Sequence, residues 1–302
     1  IASQKSSADL RLTPRSLFHL LRDAAVNWLA DGAPSMGAAI AYYTIFSIAP
    51  LLIIMLSIAG FVFGAEAAQN RIFSEARSFV GNDGAAALQG LVESASKPAE
   101  GAFATVTGLF FILIGATGVF AELQGAMDRI WKVPARRRES GVWNLLRRRI
   151  LTFGILLAVA FLLLVSLAMS ALISALQTFI ITPSDALEVL WQTINFVVSF
   201  LVIAALFALL FKLLPQVTVA WRDVVIGAVF TALLFNIGKL LIGLYIGKTG
   251  VASGFGAAGS LIVLIVWVYY SAQIFLLGAE FTWLYAERLG SRRKRHLATH
   301  GQ

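Results

Sequence analysis

Between Ser35 and Ala286 the chain is a succession of six long apolar runs, at about 35–63, 102–127, 150–181, 187–214, 224–246 and 257–286. A helix needs about 20 apolar residues to cross the ~30 Å hydrocarbon core of a bilayer, and each run is long enough. The short segments between the runs alternate between strongly basic and weakly acidic. No soluble fold needs that pattern. It predicts an all-α fold, a polytopic membrane helical bundle with six transmembrane helices plus interfacial amphipathic helices. The whole chain reads as one membrane domain. Residues 1–34 form a cytoplasmic N-terminal segment, 65–100 an outer amphipathic hairpin, and 287–302 a basic cytoplasmic tail.

Charge placement orients the bundle. The formal net charge is +8, and 19 of the 24 Lys and Arg residues fall on one side of the proposed membrane. They cluster in 1–34, between Arg129 and Arg149, at Lys212 and Arg222, and from Arg288 onward. The opposite loops hold Arg71, Arg77, Lys97 and Lys248, and Lys239 lies inside a span. Basic loops stay on the cytoplasmic side, so both ends of the chain are expected there. Anionic membrane lipids are then the natural partners of the basic face. No nucleic acid is expected, because these arginines lack interleaved aromatics on which bases could stack.

Several chemistries have no residues to perform them. The chain has no cysteine, which excludes disulfides and thiolate sites. His19, His296 and His300, the three histidines, lie in the terminal segments, and no HExxH, Walker A or GxSxG motif occurs. The Gly254–Gly259 stretch matches GxGxxG by letter, but it opens a membrane span without a preceding strand. No cofactor, no metal and no enzyme activity are expected. No signal peptide is visible, since the first apolar run starts late and is too long.

Local signals add detail. Thr13-Pro14 predicts a helix start, with Leu17, Leu21, Ala24 and Trp28 on one face, lying on the membrane interface or packed on the span ends. Pro50 in the first span predicts a kink and a hinge. Gly81-Asn82-Asp83-Gly84 predicts a turn between two short amphipathic helices. The Gly60/Gly64 and Gly243/Gly247 pairs would allow close helix approach or a homodimer. Ser166, Ser170 and Ser174 predict a packing stripe in the third span. Trp28, Trp131, Trp143, Trp221 and Trp283 are placed at the inner interface and Trp191 at the outer one, as an aromatic belt. Five glycines between Gly247 and Ser260 fit either a segment dipping into the bundle or an outer loop.

The run Ala41-Tyr42-Tyr43-Thr44-Ile45-Phe46-Ser47-Ile48-Ala49-Pro50-Leu51 resembles the first-span signature of the YihY/virulence factor BrkB family. Ala121 to Trp131, Leu214-Pro215, Trp221-Arg222-Asp223 and Gln273 through Glu280 are similar to its later blocks, in order. The resemblance covers roughly residues 30–286. It implies a bacterial inner-membrane protein with six spans. Its members once carried a ribonuclease label now regarded as a misassignment. Transport or lipid translocation is the function usually conjectured for them.

An ionisable group inside a span costs several kcal/mol unless paired or hydrated, so each is a candidate for function. Lys239 lies at ~25 Å of helix rise from Arg222, in the outer half of the bilayer. It shares a helical face with Asn236, Gly243 and Gly247. Lys239 either binds an anionic group such as a lipid phosphate or extends its stem to the headgroups. Glu122 and Glu280 end the apolar parts of the second and sixth spans at similar depth, with Asp128, Arg129, Lys212 and Arg222 near the same level. That group reads as an inner gate, proton site or entrance, or as an ion-pair network fixing the helices. Gly278-Ala279 would let a neighbouring helix approach Glu280. Gln124, Gln273, Tyr42 and Tyr43, from the family-like blocks, complete the substrate or gating candidates. The expected function is a transporter or lipid/amphiphile translocator handling an anionic or amphiphilic substrate. A membrane scaffold or envelope assembly factor is the alternative, and a ribonuclease the remote one.

Overall fold

The computed structural model describes residues 14–96, 118–134, 185–249 and 259–292. The helices are α1 (Pro14–Ala30), α2 (Ala33–Phe63), α3 (Ala65–Ser96), α4 (118–130), α5 (Asp185–Leu213), α6 (Trp221–Thr249) and α7 (Gly259–Arg288). No strand occurs among the described residues, as the apolar runs predict. Three of these helices contain segments long and apolar enough to cross a membrane: Gln192–Leu213, Trp221–Tyr245 and Leu261–Arg288. The expected third span, its serine stripe, Trp143, the tail from 293 on and most of the expected second span lie outside the described residues. So does the glycine-rich stretch from Gly250 to residue 258.

α7 is the centre of the bundle. It packs against α1, α2, α3 and α6, and α5 packs on α6. Val263, Leu264, Leu276, Ala279 and Ala286 of α7 are fully buried. By contrast α6 exposes Val225, Val229, Leu233, Ile237, Leu241 and Leu244. These recur every three or four residues and form one continuous apolar stripe. Water would penalise such a stripe at about 25 cal/mol per Å², while lipid does not.

The α6–α7 contact is closed by a reciprocal lock of small residues. A Cβ on Gly227 would collide with Thr282, and a Cβ on Gly278 would collide with Thr231. Each threonine hydroxyl donates back to its own helix: Thr231 to the Gly227 carbonyl at 2.7 Å and Thr282 to the Gly278 carbonyl at 2.6 Å. Both hydroxyls are thus satisfied without water, and the two backbones approach closely. The lock sets an antiparallel register that Gly238 continues against Tyr270 and Ile274.

Some sequence expectations change here. The Gly60/Gly64 pair serves the α2–α3 junction: a Cβ on Gly60 would press on Ala65 at the start of α3. Gly64 ends α2 with φ 87, its N–H donating to the Gly60 carbonyl at 2.9 Å, and the chain turns directly into α3. Gly243 faces open space. Trp131 cannot serve in an interfacial belt, because it is 2 % exposed and belongs to the central apolar cluster. α1 buries Leu20 and Ala24 against Phe281 and Leu284 of α7, leaving Leu17 and Leu21 outward. Two other expectations are not overturned: α2 runs on through Pro50, so the hinge read there lies inside one helix, and in α3 the helical dihedrals break at Gly81 (φ 76, ψ 179), inside the Gly-Asn-Asp-Gly segment read as a turn.

Candidate functional site

The ends of α1, α4 and α7 meet the starts of α2 and α6 at one end of the bundle, which carries Arg129, Lys132, Lys212, Arg222, Arg288 and Arg292. Most of its polar groups are consumed in holding the helices together. Asp128, 3 % exposed, accepts from the Gln216 backbone N–H at 2.9 Å and from Gln216 Nε2 at 2.7 Å. Gln124 Nε2 lies 3.5 Å from the Leu214 carbonyl. Together they clamp the α5–α6 connection onto α4. Lys212 donates to the Val219 carbonyl and lies 5.3 Å above the Trp221 ring. Asp223, fully buried, accepts from Ser291 N–H at 3.1 Å and Ser291 Oγ at 2.6 Å, which pins the last turn after α7 to the start of α6. Gly290 is required beside it, since a Cβ there would collide with the Asp223 carboxylate.

α1 is held by charge as well as by packing. Arg288 Nη2 meets Asp23 Oδ2 at 2.7 Å, and this hydrogen bond from Arg288 holds the Asp23 carboxyl below its ordinary value of 3.8. Arg129 Nη1 donates to the Asp31 carbonyl at 3.3 Å.

One group is not consumed in this way. Glu280 is fully buried in α7, and neither carboxylate oxygen has a hydrogen-bond partner among the described residues. Its electrostatic neighbours are the Asp31 carboxyl and the Lys132 ammonium. Lys132 Nζ meets Asp31 Oδ2 at 2.5 Å and stands 5.4 Å from the Trp283 ring centroid. Two turns away on the same face of α7, Gln273 Oε1 is also buried and unpartnered. Gln273 Nε2 lies 3.5 Å from the Ala33 carbonyl, in a space that Gly37 leaves open. α7 therefore carries a seam of polar acceptors without donors into the packed bundle.

Lys132 reaches this seam from a strained backbone. α4 closes in a Schellman motif: the Val133 N–H donates to the Asp128 carbonyl at 2.9 Å and the Lys132 N–H to the Arg129 carbonyl at 3.0 Å. The left-handed residue of that motif is usually glycine. Here it is Lys132, with φ 51.

The remaining candidates are dispersed. Asn236 lies at the level of Gln273 in the α6–α7 register, its Nδ2 donating to the Ala232 carbonyl at 2.8 Å. Lys239 is half-buried about one turn further along α6. Glu122 is half-buried on α4. Tyr42 is 61 % exposed and packs edge-on against Tyr43 and Phe46, while Tyr43 lies against Gly118. Glu280, Asp128, Gln124 and Arg129 thus share one end of the bundle, and Lys239, Asn236, Tyr42 and Tyr43 lie apart from it. Asp31 and Lys132 escaped the sequence reading, because both fall in connections outside the spans.

The chain matches the Virulence factor BrkB family over residues 24–300. A UPF0761 membrane protein of Pseudomonas aeruginosa is 31% identical over 278 residues, covering 90% of this chain. The chain spans 64% of that relative's length. A UPF0761 membrane protein of Tolumonas auensis is 29% identical, covering 83% of this chain and 80% of its own. One of Vibrio vulnificus is 27% identical, covering 82% and 76%. No solved structure matches. The matched family, the relatives and the apolar helices agree: this chain is a membrane protein of the BrkB family.

Proposed function

We propose that this chain is a multi-pass transporter or lipid translocator of the bacterial inner membrane, not an enzyme. In this reading it has six crossings, with both ends of the chain on the cytoplasmic side. Its substrate is anionic or amphiphilic, and no ATP site occurs in its sequence. An ion gradient or the substrate's own gradient then supplies the drive. The observation that carries the reading is the polar seam of α7. Glu280 and Gln273 bury acceptors without donors in a helix long and apolar enough to cross a membrane. Each such group costs roughly 1–3 kcal/mol or more. A bundle that only supported its neighbours would gain nothing to offset that cost.

The test is reconstitution into liposomes with a panel of labelled phospholipids and organic anions. Movement of at least one of them by the wild type, reduced several-fold by Gln273→Ala in the α7 seam, supports the proposal. No movement of any of them removes it.

A second reading, a membrane scaffold or envelope assembly factor, is favoured by α1, which turns Phe18, Val26 and Leu29 outward at 57–65 % exposure. Cross-linking that recovers one stoichiometric partner in place of flux selects it. A homodimer through the open face at Gly243 is compatible with either reading.

A further inference from the structure

We propose that Glu280 is a proton-binding site, and that the proton it holds latches the Asp31 linker between α1 and α2 onto α7. The inference rests on the translocator reading for its use, but not for the binding itself.

The geometry places two carboxyl groups around one ammonium. The α1–α2 linker contributes Asp31, and the end of α4 contributes Lys132 at 2.5 Å from Asp31. Arg129 is directed at the Asp31 backbone carbonyl rather than at either carboxyl. α6 faces this stretch of α7 with Gly227 and Thr231, which carry no charge. Trp283, the neighbour on α7, lies under the Lys132 ammonium. Lys132 balances Asp31, and Glu280 is left buried without a donor. A carboxylate buried without a donor beside a second, already ion-paired carboxylate is better accommodated with a proton, so Glu280 is the group that binds it.

Lys132 holds its ammonium there from a left-handed position, φ 51, that glycine usually takes at the close of a helix.

The step balances simply. A proton from water at the basic end binds the Glu280 carboxylate and gives the neutral acid, with Asp31 and Lys132 still paired. When the proton leaves, two negative charges face one positive charge. Asp31 is then repelled from α7, and the linker releases.

The test is pH-difference infrared spectroscopy on the purified protein in phospholipid nanodiscs. We expect a carbonyl band of a protonated carboxylic acid that titrates in the wild type and is missing in Glu280→Gln. In Asp31→Asn the band should persist and titrate at lower pH, because a like charge has been removed. Identical difference spectra in the wild type and Glu280→Gln overturn the proposal. So does a band that Asp31→Asn leaves unmoved. Liposome flux is scored separately. A titrating Glu280 without flux removes the translocator reading and leaves the proton site. Flux without a Glu280-dependent band does the reverse.

Discussion

Single residues at the basic end divide into those satisfied by the fold and those held against it. Lys132 belongs to the second kind. Lys132→Ala keeps the left-handed strain and loses the ion pair, whereas Lys132→Gly loses the pair but relieves the strain. We expect the glycine variant to be the more stable by about 1 kcal/mol in denaturant unfolding. Asp128 belongs to the first kind. Asp128→Ala leaves the Gln216 N–H without its acceptor, at an expected cost of about 2 kcal/mol in the same assay. Asp23 sets a pH limit. Its folded-state value is depressed by Arg288, so its contribution is present above the ordinary value of 3.8 and is lost as pH falls below it. Hydrogen-exchange protection in α1, corrected for the intrinsic rate, should therefore fall below that pH, and Asp23→Asn should abolish the dependence. Glu280 is legible in sequence as an acid that ends an apolar run, and Asp128 as a polar residue near the same level. Their roles are not, because Gln216 and Asp31 reach them from connections distant in sequence.

At the scale of the element, long apolar runs betray a helix because in hydrocarbon only a helix satisfies its backbone within a single segment. What packs against what is less visible. Glycine pairs on one helix drew attention to Gly60/Gly64 and Gly243/Gly247, yet the close approach pairs Gly227 with Thr282 and Gly278 with Thr231 across two helices. A one-chain pattern search for GxxxG misses a lock made of GxxxT on both partners. Gly278→Ala should destabilise the α6–α7 contact by about 1–3 kcal/mol. The penalty should shrink in a Thr231→Ala background, since the two sites touch. Equal penalties in both backgrounds would show that the contact is not as described.

For the whole molecule, the described apolar helices, the outward stripe of α6 and the family match make a membrane protein. The polar seam on α7 separates a carrier from a strut. A strut has no reason to bury the Gln273 and Glu280 acceptors without partners, while a carrier must at some point admit water or substrate to them. The absence of native cysteine from the sequence makes this directly measurable. Gln273→Cys, Glu280→Cys and Ala279→Cys can each be treated in membranes with a small charged thiol reagent. Labelling at 273 and 280 but not at 279, which faces the apolar cluster, is the result expected of a hydrated interior. Protection of 273 and 280 to the same degree as 279 would mean a solid core, and would contradict the translocator.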